Sequence, residues 1–269
     1  IGFGGYASFP CCMAAILLRV KLVIHEQNSV MSRTNRFLAR FASFIALSFE
    51  NTKYTPTNTP HMVTGMPIRK NIAELNKRIY TPKGSQGKFR LLIIGGSQGA
   101  KIFGQTIPPA ILALPQELQK EMEIFHQCRQ DDVENIRHAY QNAAAQVTVS
   151  HFFSNMAELY AQSSLIISRA GASSIAEITA VKLPSILIPL PTAADDHQTS
   201  NAAAIFAHHA GLLLKQSDLT AERLSAQLQD LIQNPERLSE MSEQTSKISI
   251  VDASTRLANE IEKRLFHAN

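Results

Sequence analysis

Residues 169–202 read "RAGASSIAEITAVKLPSILIPLPTAADDHQTSNA", and the order of signals in this stretch decides the fold. The β-rich run "SLIISRAG" (164–171) ends in a glycine turn and opens a helix expected over 174–181. A second apolar run, "PSILIPLP" (184–191), leads to a second helix expected over 198–208. Strand, turn, helix and strand again is the unit of a parallel sheet with crossover helices. Both strands are apolar at successive positions, as burial on two faces requires.

The same alternation runs outward through the chain. Strands are expected at "KLVIHEQ" (21–27), "FIALSF" (44–49), "HMVTGMP" (61–67), "RLLIIGG" (90–96), "MEIFHQC" (122–128) and "QVTVSHF" (146–152). Helices are expected over 9–18, 32–41, 101–114, 131–144 and 154–162. Near "GMPIRKNIAELNKRIYTPKGSQGKFR" (65–90) the pattern lapses into Pro, Gly, Lys and Ser, which places a domain boundary at its start. The expected organisation is α/β with two parallel-sheet domains, residues 1–68 and 69–250. A C-terminal helix within 251–269 is expected to pack back on the first domain through an apolar stripe of Leu257, Ile261 and Leu265.

A chain of 269 residues, 45% hydrophobic, is long enough for two such cores. Lys and Arg number 26 against 22 Asp and Glu, and the net charge of +4 is too small for a dedicated nucleic-acid binder. All of that excess lies in residues 1–68, where Arg19, Lys21, Arg33, Arg36, Arg40 and Lys53 face only Glu26 and Glu50. This pattern fits either an anionic partner for the first domain or a solvated charged face. Three cysteines form neither a disulfide framework nor a zinc pattern. The longest apolar run, "CCMAAILL", falls well short of the roughly 20 residues of a spanning helix.

"LLIIGGSQGAKIF" (91–103) is a strand, a glycine turn and a helix start. Gly95, Gly96 and Gly99 permit close backbone approach, the helix N-terminus favours an anion, and Ser97 and Gln98 sit in the turn itself. The spacing is neither that of a P-loop nor G-x-G-x-x-G, and a tight βα turn with no ligand uses the same glycines.

Glu177 reads two ways. About one turn into its helix, its carboxylate suits the two hydroxyls of a ribose. Ser174 and Glu177 also match the S-x-x-E capping box, which sequence spacing alone favours. Further on, Asp195 or Asp196 is expected to cap a helix that sets His197, Gln198 and Asn201 on or near its first turn, an amide and imidazole set suited to a polyol. These features belong at the carboxyl edge of the sheet, where open α/β sheets bind ligands. Together they suggest a phosphate, a ribose and a sugar, with Glu177 and Asn201 facing one shared hollow. No Asp-x-Asp or His/Cys cluster suggests a metal, and no cofactor is expected.

In this order, "GFGGYAS", "HEQNS", "TGMPIR", "GGSQGA", "RAGASSIAE" and "ADDHQTSNA" resemble the MurG glycosyltransferases of bacterial peptidoglycan synthesis, from Gly2 to about Asn201. The resemblance implies a GT-B architecture, two Rossmann-like domains facing across a cleft. It also implies transfer of N-acetylglucosamine from UDP-N-acetylglucosamine (UDP-GlcNAc) to the undecaprenyl-linked muramyl-pentapeptide, at the cytoplasmic face of the plasma membrane. Carried over by motif, Glu177 resembles the ribose-binding glutamate and Ser97 the serine near the diphosphate. His197, Gln198 and Asn201 fall beside the sugar, and Phe153 falls where backbone groups read uracil. Arg69 and Asn28 match positions that approach the donor, and Arg169, Gly171 and Ala172 match the loop beside sugar and phosphates. His25, Glu26 and Tyr6 fall on the acceptor side, with His25 and Glu26 as catalytic candidates.

The chain departs from the family at Phe9-Pro10, usually Gly-Pro, at Met31-Ser32, usually Pro-Gly, and at Met66, usually Asn. The family's first glycine-rich loop, with a candidate catalytic histidine, is expected upstream of Ile1, so these 269 residues are expected to bind UDP while transferring little sugar. A nucleotide-sugar-binding protein without catalysis, or a GT-B sugar epimerase, is the rival reading. Within "SRTNRFLARFASF" (32–44), Phe37, Phe41 and Phe44 are expected in the core, and Arg33, Arg36 and Arg40 at an anionic membrane surface.

Overall fold

The computed structural model describes residues 1–83, 87–96 and 99–265, with the side chain of Leu265 excepted. The first part carries α1 (Gly5–Leu17), β1 (Val23–Glu26), α2 (Arg33–Leu38), β2 (Phe44–Leu47) and β3 (His61–Val63). After the short α3 (Lys70–Ala73) come β4 (Phe89–Ile94), α4 (Lys101–Leu112), α5 (Gln116–Lys120), β5 (Met122–Gln127), α6 (Val133–Ala139) and β6 (Gln146–Ser150). Then follow α7 (Met156–Gln162), β7 (Leu165–Ser168), α8 (Ala172–Ala180), β8 (Ser185–Leu187), α9 (His197–Ala207) and β9 (Leu212–Leu213). Three helices end the chain: α10 (Ala221–Gln233), α11 (Pro235–Lys247) and α12 (Ala253–Leu265).

The strands form two parallel sheets, one ordered β1-β2-β3 and the other β6-β5-β4-β7-β8-β9. Counted within itself, the second sheet has the order 3-2-1-4-5-6, and its strand order reverses between β4 and β7. Period-two alternation divides its core into two layers. Leu91, Ile93, Leu165, Ile167 and Ile186 pack with α4, α6 and α10, whereas Leu92, Ile94, Ile166 and Leu187 pack with α7, α8 and α9. The first sheet divides likewise. Ile24, Ile45 and Leu47 meet α1 and α2 through Cys12 and Leu38, and Val23, Phe44 and Ala46 meet Leu257 of α12, with Ile261 packed alongside.

Each strand expected from sequence is present, and both sheets are parallel as the α/β reading requires. The short α3, α5 and β9 were not expected, because two to five residues carry too little periodicity to register. The linker out of β3 and the segment before α12 touch closely: Gly65 has φ +82°, and a Cβ there would lie 2.6 Å from Ile250 Cγ2. Glycine is required at that crossing.

Phe44 lies in β2 and is buried, as expected. Phe37 and Phe41 correct the expectation, being 41% and 49% exposed. Helix α2 ends at Leu38, and Leu38 rather than the phenylalanines supplies its contact with the sheet. The departure at Met31-Ser32 has a local reason: Met31 is buried in the core, and Ser32 caps α2, its Oγ accepting from Asn35 N at 3.3 Å.

Candidate functional site

The turn after β4 is built for close approach. Gly99 has φ +65°, and a Cβ there would meet Arg129 Cγ at 2.5 Å. Helix α4 then begins at Lys101 with no side-chain cap at Ala100, and the Phe103 N–H turns back to the Ala100 carbonyl at 2.8 Å; among the described residues no side chain caps this end, which suits an anion. Ser97 and Gln98 lie outside the described residues. Beside the turn, Gly96, Gly99, Gln127, Arg129 and His151 line a hollow of about 270 Å³.

Helix α8 begins at Ala172, with Gly171 as its N-cap. Ser174 is therefore the third helical residue and Glu177 the sixth, which removes the capping-box reading. The Glu177 carboxylate instead takes a two-pronged pair from Arg69, with Nε 3.0 Å from Oε1 and a terminal nitrogen 3.2 Å from Oε2. The Tyr160 hydroxyl donates to Oε2 at 3.2 Å. Arg69 stands at the start of α3, on the linker between the sheets, so the structure brings these two expected site residues into contact. Tyr160 was not singled out from sequence, where it reads as one more apolar position of α7.

Phe153 is buried edge-on to Phe125, their centroids 6.2 Å apart, which leaves its backbone rather than its ring for a base. Gln198 clamps two strand ends, its Oε1 accepting from Ala170 N at 3.2 Å and Leu190 N at 3.0 Å. That fixes Nε2 as its free donor end. His197 opens α9, with Nδ1 2.6 Å from the Ala194 carbonyl. Asp195 and Asp196 correct the capping expectation. Both have positive φ, 50° and 49°, and Asp196 makes no side-chain cap bond. Asp195 instead pairs with Arg36 at 3.2 Å and Arg33 at 3.5 Å.

Four further expectations are corrected. Arg169 does not face a sugar. It is buried, with one terminal nitrogen donating to the Ile188 and Pro189 carbonyls at 3.1 and 3.0 Å and the other to Gln216 Oε1 at 2.8 Å. Its burial lowers the guanidinium pKa. Asn201 is fully buried and uses its whole amide across the two sheets. Its Oδ1 accepts from Ser29 N and Oγ at 2.8 and 2.9 Å, and its Nδ2 donates to Asn28 Oδ1 and the Ala170 carbonyl, each at 3.1 Å. Asn28 is thereby held at the contact between the sheets.

His25 is buried, with Nε2 2.9 Å from the Gly65 carbonyl and Nδ1 3.3 Å from Gln27 Nε2. Burial lowers its pKa, against smaller opposing effects of Gly65 and Glu26. Glu26 is buried too. Its Oε1 accepts from Asn28 N at 3.0 Å, and its Oε2 from Ser32 N at 2.9 Å and Asn35 Nδ2 at 2.8 Å. Both residues shape the loop after β1, and neither presents a basic atom to a substrate. Tyr6, by contrast, is almost wholly exposed on the first turn of α1.

A hollow of about 720 Å³ lies between the units, lined by Phe49, Lys53, Met66, Ala176, Ala204 and Ile248 among others. Neither Glu177 nor Asn201 lines it or the smaller hollow. The expected shared hollow is not found among those described: Glu177 is engaged by Arg69, and Asn201 by the contact between the sheets. Among the described residues, no group of three or more His, Cys, Asp or Glu is placed to hold a metal, and no helix is long and apolar enough to cross a membrane.

Residues 1–47 match the glycosyltransferase family 28 N-terminal domain, and residues 90–257 match its C-terminal domain. A Granulibacter bethesdensis protein named UDP-N-acetylglucosamine--N-acetylmuramyl-(pentapeptide) pyrophosphoryl-undecaprenol N-acetylglucosamine transferase is 39% identical over 267 residues, covering 98% of this chain and 70% of its own. A Rickettsia bellii protein of the same name is 43% identical over 250 residues, covering 92% and 69%. The crystal structure of Acinetobacter baumannii MurG superposes with a TM-score of 0.80 at 33% identity, covering 97% of this chain and 73% of that one. A Neisseria meningitidis UDP-GlcNAc 2-epimerase bound to UDP-GlcNAc shares the fold, with a TM-score of 0.65 at 14% identity and coverage of 97% and 75%. With family 28 matched over most of its length and relatives of one name aligned over nearly all of it, the chain belongs to the MurG glycosyltransferases.

Proposed function

We propose that the protein transfers N-acetylglucosamine from UDP-GlcNAc to the undecaprenyl-linked muramyl-pentapeptide, in the step of peptidoglycan synthesis for which its relatives are named. Residues 69–250 would seat the donor, and residues 1–68, with the C-terminal helix returning to their sheet, the acceptor. One observation carries the donor assignment. The start of α4 and the Gly171 turn stand at the carboxyl edge of a 3-2-1-4-5-6 sheet, at or next to its switch point, and the Glu177 carboxylate lies on the helix that the Gly171 turn opens.

The chemistry follows from that placement. An acceptor hydroxyl attacks the anomeric carbon from the face opposite UDP. The new C–O bond forms as the bond to the diphosphate oxygen breaks, and configuration inverts. Charge gathers on the departing UDP, where the first N–H groups of α4 donate to it, and such interactions count when they strengthen in the transition state. The hydroxyl proton passes to a general base. His25 and Glu26, buried and engaged, do not supply it. A binding protein without transfer is disfavoured, because the curated relatives carry a transferase name.

Calorimetric titration with UDP-GlcNAc and with the ADP and GDP sugars tests the donor. Binding to the uridine sugar at least tenfold tighter than to the others is expected, a gap of about 1.4 kcal/mol. Equal affinity for all three would overturn the donor reading, and UDP release that does not depend on the lipid acceptor would overturn the transfer.

A further inference from the structure

The Glu177 carboxylate is held from two directions by groups of opposite character. Tyr160, on α7, is 2% exposed and reaches one oxygen from within the core. Arg69, from the linker, covers both oxygens, yet its side chain is 56% exposed. A two-pronged guanidinium and the vicinal hydroxyls of a ribose make the same demand on a carboxylate, two donors side by side on its two oxygens. They cannot both be met at once.

The geometry points to an exchange: Tyr160 is a positioning residue that fixes the Glu177 carboxylate for the ribose, and Arg69 is a displaceable stand-in for the ribose hydroxyls. On donor binding Arg69 leaves the carboxylate and turns its charge to the diphosphate. This rests on the donor reading above and names residues that act within it. The guanidinium side of the pair is open to water while the Glu177 side chain is 16% exposed, so the cation is hydrated as it leaves and the ribose hydroxyls take over the carboxylate. Tyr160 stays a donor, because burial and then the Glu177 carboxylate raise its phenol pKa. No covalent step is involved; one set of hydrogen bonds replaces another.

The exchange makes opposite predictions for two substitutions on one measured ratio, the Kd of 2′-deoxy-UDP divided by that of UDP. In the wild-type protein the 2′-hydroxyl gains a bond to Glu177 only by evicting Arg69, which shrinks the ratio. Arg69→Met removes the competitor. It is expected to raise the ratio about threefold while weakening UDP itself about tenfold, through loss of the cation that meets the diphosphate. Tyr160→Phe loosens the carboxylate and is expected to lower the ratio about threefold with thermal stability largely retained.

A ratio unchanged by Arg69→Met overturns the exchange, whatever Tyr160→Phe does. A ratio unchanged by Tyr160→Phe in a folded protein overturns the positioning role. Should wild-type protein bind neither nucleotide, the donor reading itself fails, an outcome distinct from both. Arg69 is surface-exposed, and a melting temperature unchanged by Arg69→Met keeps the first arm readable even if Tyr160→Phe unfolds.

Discussion

His126 sits in β5 with no exposed surface, its Nδ1 3.1 Å from the Tyr140 hydroxyl and its Nε2 without a partner among the described residues. Burial pushes its pKa from 6.5 down to about 4. The folded state therefore resists a proton that the unfolded chain accepts. The stability this group contributes is full above pH 6.5 and falls away towards pH 4, by about 3 kcal/mol in all. Replacing it with glutamine is expected to flatten the loss over that window, measured by urea unfolding at pH 7 and pH 4.5; an unchanged slope would refute the assignment. At this scale the sequence is legible in residue type but not in direction. Glu177 and Asn201 both read as polar groups beside a ligand. The choice for Glu177 turns on α8 starting at Ala172, which spacing does not reveal, and Asn201 is claimed by Ser29, 172 residues away.

Helices α1 and α2 pack side by side and leave a ladder of rings outside. Phe9 lies 5.8 Å from Phe37, which lies 5.7 Å from Phe41, and the three are 37%, 41% and 49% exposed. Arg33 and Arg40 lie on or just beyond the same α2. Exposed rings among cations suit the headgroup layer of an anionic membrane, and we propose that this face rests there. Substituting Phe37 and Phe41 with serine is expected to halve or more the flotation with vesicles containing anionic phosphatidylglycerol, and to leave the low recovery with neutral vesicles unchanged. Flotation indifferent to lipid charge would count against it. The strands were legible because burial on both faces forces unbroken apolar runs. The fate of these phenylalanines was not, since a six-residue helix has too few turns to define a buried side.

The chain passes between its two sheets twice, once after β3 and again before α12, and the crossings touch at Gly65 and Ile250. Two Rossmann-like units were readable from the repeated strand–helix signal. The return of α12 was readable only as an apolar stripe in search of a surface. Leu257 fills that surface, packing on Val23, Phe44 and Ala46. Truncating it to alanine should cost about 2–5 kcal/mol. Amide hydrogen exchange should quicken in Val23–Glu26 and Phe44–Leu47 and stay slow in Phe89–Ile94; a uniform rise across both sheets would contradict this.

Synthesis runs from the N-terminus, and domains are usually expected to close in the order they are made. Here the β1-β2-β3 sheet must keep one oily face waiting while some two hundred further residues are translated, until α12 arrives to shut it. This sheet is begun before the six-stranded one and closed after it, so the nascent protein is most exposed to aggregation, and most in need of a chaperone, along that uncovered face.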